Sequence, residues 1–201
     1  MTSTARRAPR ILVRSAQVAI AVSAVGDVFR AAAVRDQYVD HSDASESGLI
    51  SMVSVYLTTL AIVLFLVWLT QSRRNAQELT PGASVPSRGR TIGMWFVPLV
   101  NLVVPRGIVL AIGRASSASW AEKRDTALVN AWWAAWVGHG LVLTVAIRVA
   151  PGSMAFLVVE EALMIAAAVL AGLVIERITA LQNAALGATV PTEPTEPLAQ
   201  A

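Results

Sequence analysis

Residues Leu49 to Leu69 read LISMVSVYLTTLAIVLFLVWL, and no charged side chain occurs anywhere from Ser47 to Ser72. About 20 apolar residues rising ~1.5 Å each match a hydrocarbon core ~30 Å thick, so this stretch predicts a transmembrane helix. The rest of the chain agrees with it. Of 201 residues, 55% are hydrophobic and only 14% charged, with a mean hydropathy of +0.60. That composition excludes a water-soluble enzyme and predicts an all-α, polytopic helical bundle in a membrane. The absence of cysteine removes disulfides, thiolate metal sites and cysteine nucleophiles.

Three further stretches have the length and polarity of spans. Thr126 to Ile147 is uncharged if His139 is neutral, and Ser153 to Ile175 is interrupted only by Glu160 and Glu161. The short Ala150-Pro151-Gly152-Ser153 turn joins these two as a helical hairpin, with Ser153 as N-cap. Ile11 to Val34 carries Arg14, Asp27 and Arg30. A cleaved signal peptide is the alternative there, but Arg14 interrupts the apolar run and helical periodicity continues to Val34, so a retained first span is expected. The spans are thus placed at about 11–34, 49–70, 126–148 and 153–175.

Thr91 to Pro105 (TIGMWFVPLVNLVVP) is too short to cross and holds Pro98, Asn101 and Pro105. Each proline removes a backbone donor, while Asn101 can satisfy freed backbone groups, so a broken re-entrant or interfacial segment is expected over 91–113. Charge decides between dipping and crossing. With four spans, thirteen Arg and Lys fall on one side against Arg35 and Arg148 on the other, whereas a fifth crossing would leave nine against six. The positive-inside rule therefore favours four spans, with a basic N-terminus (1–10), an arm (71–125) and a tail (176–201) in the cytoplasm; fifteen arginines against the single Lys123 fit a GC-rich bacterial genome, so a bacterial cytoplasmic membrane is expected. The tail from Thr189 repeats Pro-Thr-Glu without aromatic residues and is expected to be disordered.

This orientation brings the intramembrane polar residues to one level. Counted from the outer end of each span, Asp27 and Glu160 lie about 10 Å deep, Glu161 about 12 Å and His139 about 13 Å. Arg30 shares the Asp27 face, with Ser23 one turn further along, and Ser54 and Thr58 fall at similar depth on the second span. Such a cluster is either a site for a proton, an ion or a small polar ligand, or a structural network in which Arg30 is neutralised by its neighbours. Glu160 and Glu161 point about 100° apart on a helix, so one of them is expected to face headgroups or a neighbouring subunit.

All six tryptophans fall on the inner side, which an aromatic belt would explain, although Trp132 and Trp136 share a face that would also suit a lipid groove. The arm carries eight basic residues against three acidic ones. Arg73, Arg74, Arg88, Arg90, Arg106 and Arg114 are expected around anionic headgroups, and no nucleic-acid motif is present. The small-residue spacings of Ala167 with Ala171 and Ala131 with Ala135 mark tight helix contacts, within the chain or in a homo-oligomer.

At the arm the order of residues resembles a bacterial membrane family, domain of unknown function 4328. The similarity runs through Arg73-Arg74-Asn75-Ala76 after a span, then Trp95-Phe96-Val97-Pro98 with Asn101 and Pro105, then Arg114-Ala115-Ser116, then Trp132-Trp133 and Trp136. It covers roughly residues 50 to 175. It implies a multi-span membrane protein, supplies no activity, and marks the Arg-Asn-Ala and Pro98 to Pro105 motifs as hallmarks. Val103 stands where family members often carry tryptophan.

Enzyme motifs are absent: no HExxH, GxSxG or phosphate loop occurs, so no catalytic residue, metal ligand or cofactor is assigned. Two classes remain. A membrane-embedded interaction or accessory protein is favoured by the basic, Trp-rich arm, with anionic lipid or a membrane protein as partner. A small transporter or channel subunit is favoured by the outer polar cluster.

Overall fold

The computed structural model describes residues 10–39 and 44–188. Its helices are α1 (Arg10–Val39), α2 (Ala44–Leu79), the short α3 (Arg88–Gly93), α4 (Val104–Ser116), α5 (Glu122–Val149) and α6 (Met154–Ala188), with one 3-10 turn at Val100–Leu102. No strand occurs among the described residues. Four helices, Arg10–Val39, Ser47–Leu79, Glu122–Val149 and Met154–Ala188, are long and apolar enough to cross a membrane. The expectations for the N-terminus before Arg10 and for a disordered tail from Thr189 fall outside the described residues.

Local chemistry sets the helix ends. Ser153 starts α6 by accepting from the Phe156 N–H at 3.5 Å, as expected of an N-cap. Asp125 anchors the start of α5 by accepting from the Ala121 N–H at 2.8 Å, and with Glu122 it places negative charge where the helix dipole favours it. Pro105 sits in the first turn of α4, where a missing N–H costs nothing. It therefore opens a helix rather than breaking one. The break lies upstream, where the chain turns through Pro98 and Leu99 takes φ 63°, a left-handed conformation costly for a side chain of its size. Asn101 was expected to repair this break, yet its side-chain oxygen is buried without a hydrogen-bond partner.

Packing is reversed relative to a soluble bundle. Val18, Phe29, Val55, Tyr56, Val145, Ile147 and Val169 are exposed, while Ser23, Asp27, Ser54, Glu160 and Glu161 are buried. Apolar rims of this extent need a lipid cover, and polar side chains inside lipid turn toward other helices. α1 packs between α2 and α6, and α6 packs on α5, leaving a cleft between α2 and α5. Ala167 and Ala171 are buried on α6, and Gln17 reaches across from α1 to the Gly172 carbonyl at 3.0 Å, so close approach is used within the chain.

The arm fills that cleft at one end of the bundle. At about 1.5 Å per residue, α2 and α6 run some 50 Å each and project beyond a ~30 Å core. The Arg73-Arg74-Asn75-Ala76 motif therefore lies on a helix continuing from the span rather than in a loop. Both ends of the arm return to this same end. Arg73 donates to the Pro86 carbonyl at 2.5 Å, and Thr80 donates to the Ala115 carbonyl at 3.0 Å. Between these ties α4 buries Ile108, Val109, Leu110 and Ile112 in the core. The Trp120 ring then rests directly on Gly113, where any side chain would overlap it.

Candidate functional site

Three helices build the polar cluster near the 150–153 turn. Arg30 donates from Nε to Asp27 Oδ1 at 2.6 Å and pairs with Glu160 Oε1 at 3.5 Å, joining α1 to α6. His139 on α5 places Nδ1 3.2 Å from the Glu160 carbonyl oxygen and Nε2 3.8 Å from Asp27 Oδ2. The second span stands one turn away, where Ser23 and Thr58 share a hydrogen bond of 3.0 Å. Constant helix rise makes depth countable, which is why residues from three separate spans meet at one level.

Glu161 differs from the expectation. Neither of the adjacent glutamates faces outward: both are 5% exposed. A helix wedged between two others has more than one buried face, so a 100° offset does not carry the second side chain out of the bundle. Both Glu161 oxygens lack a hydrogen-bond partner, and its carboxylate lies within electrostatic reach of Asp27, Glu160 and Arg30. A cavity of about 170 Å³ runs from Pro151 and Tyr38 down to Arg30 and Glu160.

The arm candidates separate into two groups. Arg73 is bound to a carbonyl, Arg74 pairs with Glu78 at 3.3 Å, Arg106 donates to Asn130 at 2.7 Å and Arg114 pairs with Glu122. The hydrogen bond to Glu122 holds the Arg114 guanidinium above its ordinary value. These four arginines, expected at headgroups, each have a partner within the chain, although the Arg74 and Arg114 side chains remain 56% and 49% exposed. Arg88 and Arg90 are exposed, and their guanidinium groups have no partner among the described residues.

The tryptophans likewise form a core rather than a belt. Trp68, Trp132 and Trp133 are buried, and Trp95 meets the rings of Phe65, Trp132, Trp133 and Trp136 at centroid distances of 5.3 to 6.4 Å. Such tilted and edge-to-face contacts each add about 0.5–1.5 kcal/mol beyond burial. Trp133 also donates from Nε1 to the Leu102 carbonyl at 3.2 Å, tying the turn after Pro98 to α5. Phe96, Val97, Leu99, Leu102 and Val103 remain exposed beside this cluster, forming an apolar edge.

Sequence reasoning missed Gln182. It is 1% exposed, accepts from Asn75 Nδ2 at 3.2 Å, and donates to the Ser72 carbonyl and Ser116 Oγ at 2.8 Å each. One side chain thus ties α6, α2 and α4, and Asn75 of the Arg-Asn-Ala motif serves as its partner. Arg177 and Asp125 were also missed: they form a two-point pair at 3.0 and 2.9 Å between α6 and α5. A glutamine inside an apolar-flanked helix gives no local signal of which partner it meets.

An apolar exterior around buried polar contacts, on four helices of spanning length, defines a helical membrane protein. The chain belongs to the family Domain of unknown function (DUF4328), whose model matches residues 30–180. That range includes Arg30, the whole arm, His139, Glu160 and Glu161, and begins just after Asp27. No curated protein and no solved structure matches the chain.

Proposed function

We propose that this protein is a multi-pass interaction or accessory protein of the bacterial cytoplasmic membrane, with both termini inside. Its arm re-enters the inner leaflet and binds anionic lipid. The observation carrying this reading is the exposed edge Phe96, Val97, Leu99, Leu102 and Val103, set beside the ring cluster and preceded by the unpartnered Arg88 and Arg90. An apolar edge lowers the segment into hydrocarbon while two guanidinium groups remain near phosphate, each contributing about 1 kcal/mol on an anionic surface. The positive-inside count supplies the orientation.

Two experiments test it. In vesicles containing brominated phosphatidylglycerol, the share of that lipid needed for half-maximal tryptophan quenching should rise by roughly 10-fold or more when Arg88 and Arg90 are both changed to Gln, with folding retained. Quenching equal to that of the original protein would remove the lipid role. For topology, the cysteine-free chain accepts single cysteines at Ser84 and Ser117. Both should react only from the cytoplasmic side, whereas reaction from opposite sides would make 91–113 a fifth crossing.

A small transporter or channel subunit is the second reading, favoured by the cavity that reaches Arg30 and Glu160. A through-path would have to continue toward the arm, where Trp68, Val174, Ile175 and Gln182 are packed with no more than 1% exposure. The accessory reading is therefore preferred.

A further inference from the structure

We propose that Asp27, His139 and Glu160 form a binding site for a divalent transition-metal cation that enters through the cavity beside the 150–153 turn. One ligand atom from each of the three residues lies within 4.8 Å of the other two. Ligands of a tetrahedral ion with bonds of about 2.0–2.1 Å stand roughly 3.3 Å apart, so side-chain shifts of about 1–1.5 Å close the shell. Three separate helices supply the ligands.

The imidazole carries the argument furthest. With its proton on Nδ1, directed at the Glu160 carbonyl 3.2 Å away, His139 turns the lone pair of Nε2 toward Asp27 Oδ2 at 3.8 Å. In that neutral tautomer the lone pair faces a carboxylate, and the separation is too long for a hydrogen bond. A cation between the two atoms makes both contacts favourable. Fixing one imidazole nitrogen on a backbone carbonyl while the other binds metal is how proteins orient histidine ligands.

Charge balance leads to the same ion class. Asp27, Glu160 and Glu161 bring three carboxylates to one guanidinium, Arg30, leaving two negative charges uncompensated when all are ionised. Glu161 is 5% exposed with both oxygens unpartnered, and in its ionised form such a carboxylate is stabilised by a nearby cation. A divalent ion cancels the excess, with Asp27, His139 and Glu160 as its ligands. Arg30 acts as a positioning residue: by holding Asp27 Oδ1 it leaves Oδ2 facing His139. One imidazole with carboxylates suits Zn²⁺ and its neighbours better than Mg²⁺ or Ca²⁺, which take oxygen shells. The cavity, about 170 Å³ and lined by Arg35, Tyr38, Phe156 and Leu157 above Arg30 and Glu160, reaches the site at Glu160.

The test uses the full chain carrying His41→Ala, so that His139 is the one remaining histidine. It is purified in detergent through a tag without histidine, stripped with chelator and titrated with Zn²⁺. One equivalent should bind and resist millimolar Ca²⁺, and zinc X-ray absorption should show one imidazole among oxygen donors. His139→Ala should weaken binding more than about 100-fold, beyond the 10–100-fold typical of losing an outer-shell partner. Absence of saturable binding, displacement by Ca²⁺, a zinc shell without imidazole, or binding unchanged in a folded His139→Ala variant would each overturn the proposal. The absorption measurement needs no ligand variant, so it decides the matter even if His139→Ala does not fold.

Discussion

Trp133→Ala is expected to cost about 3–5 kcal/mol of stability, the range for removing a buried aromatic side chain, and to release the arm from the bundle. The ring is 6% exposed, and it meets Trp95, Trp132 and Trp136 at centroid distances of 6.0, 5.5 and 5.1 Å. Its Nε1 also donates to the Leu102 carbonyl, linking α5 to the 3-10 turn. Trp133→Phe retains a ring and drops the hydrogen bond, and should cost only about 1–3 kcal/mol. The two variants are compared by thermal unfolding in detergent and by limited trypsin digestion at Arg88 and Arg90. Faster cleavage in Trp133→Ala at temperatures where the spans remain helical is the expected result. Cleavage at the original rate would mean that α4, rather than the ring cluster, seats the arm.

Gln182→Ala is the second large effect, expected at about 2–4 kcal/mol. It removes a partner from three groups, leaving Asn75 Nδ2 without its acceptor and taking a second bond from the helical Ser72 carbonyl and from Ser116 Oγ, in a region where Gln182, Asn75, Ser72 and Ser116 are all fully or nearly fully buried. Each buried polar group left unpaired costs about 1–3 kcal/mol, although Ser116 keeps its bond to the Ile112 carbonyl at 2.7 Å and Asn75 keeps Gln71. Gln182→Glu tests the assignment of donors. The glutamate retains an acceptor for Asn75 but faces the Ser72 carbonyl with an oxygen, so it should be destabilising as well. A Gln182→Leu variant as stable as the original protein would show that packing alone holds α2, α4 and α6 together at this end.

These two sites show where sequence reasoning stops. The Arg-Asn-Ala motif was legible as a hallmark, and its position just past a span suggested lipid contact. Arg73 and Asn75 instead bind Pro86 and Gln182, partners 13 and 107 positions away. The tryptophans gave no local clue either. An interfacial belt and an internal ring cluster require the same residues at the same depth, and only the wedge of Trp95 between α2 and α5 separates them. For the same reason Arg88 and Arg90 stood out from their six-membered set only once the other four were seen to be engaged.

The hydrophobic runs settled the class of protein, the four long helices and the Ala150 to Ser153 hairpin turn, because transfer free energy and helix rise are local, additive quantities that a chain carries along its length. The same arithmetic set Asp27, His139, Glu160 and Glu161 at one depth. Tertiary structure alone decided which of them face one another, that both glutamates are enclosed, and that Gln182 joins three helices. Those outcomes depend on how each helix is rotated against its neighbours, and a difference of one residue, about 100°, moves a side chain from lipid to core.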